Sequence, residues 1–453
     1  MIRAAARALA LAGMLAGVAA CHRSAPAGDS SPARETPPLG APGESAPEGP
    51  DAPALRRARC ATGPAVSLGG AATGAHAPAA DVEVGDAVDF AAGYAIGIVH
   101  RTGDGRMAAL ALVDEGGSQA TVVDLGVTPG DAPPARAVPW GSGVLAAAYA
   151  IPEAAHEASR ELAVYVITPG RPPEARAPVA QSLDDSFGFD LAVSRSEALL
   201  VWDEATPAGR GVVRGVSVMP ASAAPSHAIS PPESDAEAPR LLPTASGFVA
   251  LWLARGPDAT DATDHGAERR AAEAPGEDRG FGWVEAIDLD ARGAPQGAVR
   301  RLTSQEGHVS AFDAEVLADG ALLVIARDDG EAVDGSGGVL LRVRSTADRI
   351  GAPLALAGDG LGRGGPGFVG GPSGGAGWLG WIGPDERPRL MPLDAAGAPA
   401  GPTSAEDAWL DGRPLLALGG PAGAAFSSTG SARLLVAAPS DPASPLRLAS
   451  CAR

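Results

Sequence analysis

The sequence predicts an all-β fold built from repeated units of short strands, and three observations predict it. From about Ala58 to Cys451, short apolar runs are separated by Gly, Pro and Asp with no sustained 3.6-residue period, the texture of many strands. Many of the runs begin at a glycine and are apolar on both alternating faces, as strands buried on both sides are. A turn motif, Asp-x-x-Gly-Ala-Pro, occurs three times, at Asp290–Pro295, Asp348–Pro353 and Asp394–Pro399. Its Asp and Gly positions suit a tight hairpin closed by a left-handed residue.

The chain opens with a short segment carrying Arg3 and Arg7, followed by an Ala/Leu-rich stretch too short to span a membrane. This is the layout of an export signal covering residues 1–20. Val18-Ala-Ala-Cys21 resembles the lipobox of bacterial lipoproteins. That resemblance implies acylation of Cys21, attachment to the membrane through its acyl chains and, with His22 in place of an acidic residue, location at the outer membrane of the cell envelope.

Residues 21–54 consist mainly of Pro, Ala, Gly, Ser and Glu, with too little apolar surface to offset the entropy of ordering. They are expected to be a disordered tether, and residues 55–453 the folded domain. Within that domain the strongest runs are Gly93–Val99, Gly143–Tyr149, Gly247–Leu253, Gly320–Ala326 and Gly377–Ile382, with weaker ones at Glu197–Trp202 and Gly423–Phe426. After most of them, beyond a polar loop, comes a second apolar run, such as Met107–Val113, Leu162–Ile167 and Trp283–Leu289.

Pairs of runs recurring about every 50 residues, with room for four strands, match the period of a propeller blade. The chain resembles a β-propeller lipoprotein of no particular subfamily, with the resemblance extending over about residues 58–453. About seven four-stranded blades are expected. Six or eight, or tandem β-sandwiches, are the alternatives. An N-terminal strand at Arg59–Leu68 is placed to complete the last blade beside Leu446–Cys451. Cys60 and Cys451, the two cysteines of the folded region, are expected to form a disulfide in an oxidising compartment.

Composition excludes several function classes. The chain has no lysine and no asparagine, which removes phosphate-loop NTPase, kinase and Schiff-base chemistry as well as N-linked glycosylation. Loss of residues 1–20 takes Arg3 and Arg7 away and moves the formal charge from −19 to −21, which argues against nucleic acid as a partner. Neither Cys-x-x-Cys nor zinc-ligand histidine spacing occurs. Gly371-Pro-Ser-Gly-Gly375 has the letters of a hydrolase elbow without the strand-turn-helix setting, and Asp334–Gly338 is read as a loop.

The expected binding face is formed by the loops between the second and third strands of the blades. Its acidic residues are Asp104, Glu153, Glu157, Asp203, Glu204, Asp258, Asp261, Asp264, Asp328, Asp329, Asp334, Asp385 and Glu386. Asp328, Asp329, Glu331 and Asp334 are weak calcium candidates lacking EF-hand spacing, and no other cofactor is expected. No catalytic residue is named. The leading expectation is a monomeric, lipid-anchored binding or scaffold protein that holds an envelope protein or glycan on this loop face. The alternative is an envelope polysaccharide hydrolase or lyase using carboxylates in the central channel. Two inward carboxylates about 5 to 10 Å apart, beside aromatic side chains, distinguish the second reading.

Overall fold

In the computed structural model the folded unit spans Ala54–Arg453. The structure describes residues 59–452 apart from breaks, of which the longest are 70–81, 152–159, 182–187, 257–280, 331–337, 401–412, 419–430 and 438–445. The signal, Cys21, the tether and the acidic insertion 256–280, except for Gly256, lie outside the described residues.

The described regular structure is entirely β. Strands β1 (Arg59–Ala65) and β2 (Ser67–Gly69) come first. A first sheet follows with β3 (Val82–Phe90), β4 (Gly93–Thr102), β5 (Gly105–Val113) and β6 (Gln119–Val127). The second holds β7 (Arg136–Trp140), β8 (Gly143–Ala150) and β9 (Glu161–Ile167), edged by β10 (Glu174–Ala175) and β11 (Ala180–Gln181). The third runs β12 (Phe189–Ser194), β13 (Glu197–Ala205), β14 (Gly211–Met219) and β15 (His227–Ala228). The fourth is β16 (Asp235–Pro243), β17 (Gly247–Arg255), β18 (Gly282–Asp290) and β19 (Pro295–Arg301). The fifth is β20 (Val309–Val316), β21 (Leu322–Asp328), β22 (Val339–Ser345) and β23 (Leu354–Ala357). Then come β24 (Gly367–Gly371), β25 (Gly375–Ile382) and β26 (Pro388–Pro392), and last β27 (Arg413–Leu418), β28 (Ser431–Ala437) and β29 (Leu446–Ala452).

Apart from the N-terminal strands β1 and β2, each sheet runs antiparallel, and the first strands β3, β7, β12, β16, β20, β24 and β27 touch in ring order, with β27 returning to β3. The architecture is a β-propeller. Six of its sheets carry four or five strands, and the sheet of β24 to β26 has three among the described residues.

The N-terminal segment joins the ring twice. β1 pairs antiparallel with β29, opposing Cys60 to Cys451 in register, while β2 pairs parallel with β6 of the first sheet. Between them Val66 is buried with Leu446 in the first sheet's core, and its N–H donates to the Leu446 carbonyl at 2.9 Å.

The strong apolar runs and Glu197–Trp202 fall on second strands of the sheets, while the weak run Gly423–Phe426 lies outside the described residues. All eight residues of β8 are buried, as are the first eight of β17, because each lies between two neighbouring sheets. Phe248 and Trp252 of β17, for example, pack with Leu199 and Val201 of the preceding sheet.

Two copies of the repeated turn close as the motif requires. Asp290 Oδ1 accepts from the Arg292 and Ala294 N–H groups at 2.8 and 2.9 Å, and Asp394 Oδ1 from Ala396 and Ala398 at 2.9 and 2.8 Å. Gly293 and Gly397 have φ of 86° and 68°, the left-handed region where glycine is favoured. The copy at Asp348 differs: its hairpin closes earlier, where the Thr346 N–H meets the Arg349 carbonyl at 2.8 Å.

Candidate functional site

The first strands line a central cavity of about 350 Å³. Each strand alternates its side chains, so one set enters the sheet-to-sheet core while the other faces the axis. Ala87, Ala137, Leu191, Leu241 and Ala314 are buried in the core. Their neighbours Asp86, Arg136, Asp190, Arg240 and Asp313 face the cavity. Five successive strands thus present Asp, Arg, Asp, Arg and Asp at one level.

These charges are cross-linked. Arg136 pairs with Asp86 and lies 3.9 Å from Asp190 Oδ1. Arg240 reaches Asp86 at 3.5 Å, Asp190 at 3.9 Å and Asp313 at 2.5 Å. Burial opposes the charge on Arg240, but Asp313 and Asp190 outweigh it and hold the guanidinium above its ordinary value. Because one guanidinium fork bonds both, Asp86 Oδ2 and Asp313 Oδ1 are within about 8 Å of each other.

The carboxylates differ in how fully they are engaged. Asp190 accepts backbone N–H groups from Leu191 and Leu241, each at 2.9 Å. Asp313 accepts from Ala314 at 2.9 Å and Phe368 at 2.8 Å in addition to Arg240. Asp86, with its side chain 42% exposed, is the one most open to water.

Two residues along each strand, the lining turns apolar, with Val88, Val138, Leu242 and Phe368. On β20 this level holds Glu315. Its Oε2 is buried with no hydrogen-bond partner. Burial, reinforced by Asp313 two residues away, pushes the Glu315 carboxyl from 4.5 up to about 7. Phe368 and Trp381 supply aromatic surface at the same cavity. An acid and carboxylates in distinct environments, beside apolar rings, are the equipment of general acid–base catalysis.

Of the acidic loop residues expected to form a binding face, Asp203, Glu204, Asp328, Asp329 and Asp385 are described, and each is engaged within the fold. Asp203 lies within β13, is buried, and accepts the Gly188 and Ala238 N–H groups at 3.0 and 2.8 Å, so it ties two sheets together. Glu204 accepts from the Trp202 indole at 3.1 Å and pairs with Arg214 at 3.4 Å. Asp328 accepts the His308 and Gly330 N–H groups at 3.2 and 2.9 Å. Asp329 is buried on Arg327 at 2.7 Å, and Asp385 pairs with Arg389 at 2.9 Å. Asp104, Glu153, Glu157, Asp258, Asp261, Asp264, Glu331, Asp334 and Glu386 lie outside the described residues, as does Ser373 of the Gly-rich elbow-like segment. Among the described residues no group of acidic, histidine or cysteine side chains could hold a metal ion.

The channel residues were not singled out in the sequence. The signal is a charge placed inside a short apolar run near the start of a unit, as in Phe189-Asp-Leu191, Arg240-Leu-Leu242 and Phe312-Asp-Ala-Glu-Val316.

No protein-family model and no curated protein matches the chain. It is similar to the solved structure of an alpha-L-arabinofuranosidase of Fusarium graminearum with arabinobiose, at TM-score 0.40 and 10% identity, covering 70% of this chain and 92% of that one. An endo-arabinase from Bacteroides thetaiotaomicron gives TM-score 0.30 and 11% identity, over 57% of this chain and 87% of that one. A prolyl endopeptidase gives TM-score 0.43 and 11% identity over 71% of this chain, which spans 42% of the peptidase's length. The expectation of a scaffold working through its loop face is corrected. Among the described residues, the charged groups that the fold brings together lie in the channel.

Proposed function

We propose that this protein is a glycan hydrolase whose active site is the propeller channel. The observation that carries the reading is Glu315, a carboxyl with an unpartnered oxygen in an otherwise apolar layer, held near neutral pH and beside charged aspartates. Burying such a group costs stability and contributes nothing to packing, the pattern of a functional site.

In this mechanism Glu315 gives its proton to the departing glycosidic oxygen as the bond to the anomeric carbon breaks. Asp86, the carboxylate most open to solvent, takes a proton from the water that forms the new bond. Arg136 and Arg240 hold Asp86 in position, and Phe368 and Trp381 offer apolar surface to a sugar ring. Proton exchange with solvent restores both carboxyls.

The test is release of reducing ends by the full mature protein from neutral, acidic and amino polysaccharides. Glu315→Gln should lower kcat at least 100-fold on the accepted glycan while the protein stays folded, the scale of a lost general acid. Wild-type turnover by that variant, or no cleavage of any of the three classes, would overturn the reading. The envelope location belongs to the same proposal: Cys21→Ser should move the protein from the detergent to the aqueous phase.

A further inference from the structure

Four carboxyls and two guanidiniums share the cavity, Asp86, Asp190, Asp313 and Glu315 against Arg136 and Arg240. With all six ionised the set would carry a net charge of −2. In a narrow, partly apolar channel such an excess is relieved most cheaply by one bound proton.

The geometry decides which carboxyl takes it. Asp190 and Asp313 each accept two backbone N–H groups, and Asp86 contacts both guanidiniums. Glu315 Oε2 has neither kind of donor. From the remaining elements around the cavity, β24 presents Phe368 and β25 presents Trp381, which carry no charge. Arg413 on β27 is a further cation of that strand, and its side chain lies outside the described residues.

Arg240 makes this division of roles. It contacts carboxylates on three other first strands, Asp86 on β3, Asp190 on β12 and Asp313 on β20. Its Nε and Nη2 both donate to Asp313 Oδ1, at 3.1 and 2.5 Å, on the strand that carries Glu315. We infer that Arg240 is a positioning residue: by engaging Asp86, Asp190 and Asp313 together, it leaves Glu315 as the channel carboxyl that carries the exchangeable proton. The catalytic meaning of this role rests on the hydrolase reading. The proton placement itself can be measured without substrate.

The experiment is a pH titration of the full mature protein by infrared difference spectroscopy, with Glu315→Gln identifying the Glu315 carboxyl band. In the wild type that band should be lost with a midpoint near 7. In Arg240→Gln the excess negative charge grows and Asp313 loses both side-chain donors. The midpoint should rise by about one pH unit or more, with a second carboxyl co-titrating that Asp313→Asn removes. Arg240→Lys keeps the charge but loses the fork, so its upward shift should be smaller. A Glu315 midpoint in Arg240→Gln within about 0.3 unit of wild type would overturn the inference. Should that variant fail to fold, Arg240→Lys decides, and no shift there overturns it equally. A shift without glycan turnover defeats the hydrolase reading alone, and turnover without a shift defeats the role of Arg240 alone.

Discussion

Replacing Glu315 by Gln should change the pH dependence of stability in a direction fixed by its surroundings. In the fold this carboxyl is raised from 4.5 to about 7, so the native state holds its proton over a range where the unfolded chain has released it. Its contribution to stability is therefore fully present below about pH 4.5 and is lost as pH rises through about 7. A displacement of that size corresponds to about 3 kcal/mol at most, less whatever solvent screening removes. Gln keeps the shape and cannot ionise. The variant should match the wild type near pH 4.5 and exceed it by about 2 to 3 kcal/mol at pH 9, where the wild type must bury a charge. Urea unfolding of both proteins at the two pH values gives the difference, in which the other titrating groups cancel. A wild-type-to-variant gap that stays constant between those pH values would refute the reasoning, because the carboxyl would then be titrating alike in the folded and unfolded states.

Three further outcomes are expected. Glu285→Ala should destabilise the fold by about 3 kcal/mol or more, measured by the urea midpoint, because the Trp252 and Trp283 indole N–H groups, which donate to it at 3.1 and 2.8 Å, would be left buried without an acceptor. Gly397→Ala should cost about 2 kcal/mol or more, since the residue has φ of 68° and an added Cβ would fall 2.4 Å from Leu323 Cδ2; equal thermal midpoints for variant and wild type would contradict this. Directly opposed residues of an antiparallel pair have Cα atoms about 4.5 to 5.5 Å apart, within disulfide range, so Cys60 and Cys451 should resist alkylation until reductant is added. Reduction should then lower the melting midpoint, and alkylation of both in the unreduced protein would rule the bond out.

The parts of this fold that were legible in the sequence are those in which one physical demand dominates. The strands between two sheets must be apolar on both faces, so Gly143–Ala150 and Gly247–Leu253 announce themselves as uninterrupted runs. The turns at Asp290 and Asp394 are legible because one side-chain oxygen and one left-handed glycine satisfy the hairpin locally. The first strands are harder to read. Asp190 and Asp313 sit in runs too short and too mixed to register as strands, and their charges are paid for by residues on other blades more than 50 positions away, such as Arg240 with Asp313. Loop acidity misled for the same reason. Asp203 looks like a solvated rim residue, yet it is buried on the Ala238 N–H, which only the folded ring supplies.

The clasp formed by the N-terminal segment sets the order in which this molecule can be finished. β1 and β2 precede the sheets in the chain, but β1 has no partner until Leu446–Ala452 exists, after every other described strand. Until then it is an open edge strand, a hazard that the unfinished chain carries. The two ends also share a single joint, since Val66 rests on Leu446 while β2 holds the first sheet. Removing Arg59–Val66 or Leu446–Ala452 therefore opens the same seam, and a protease cutting out either segment achieves what it would with the other. Joining the termini and cutting the chain between two sheets elsewhere would move that weak point around the circle without changing a single blade.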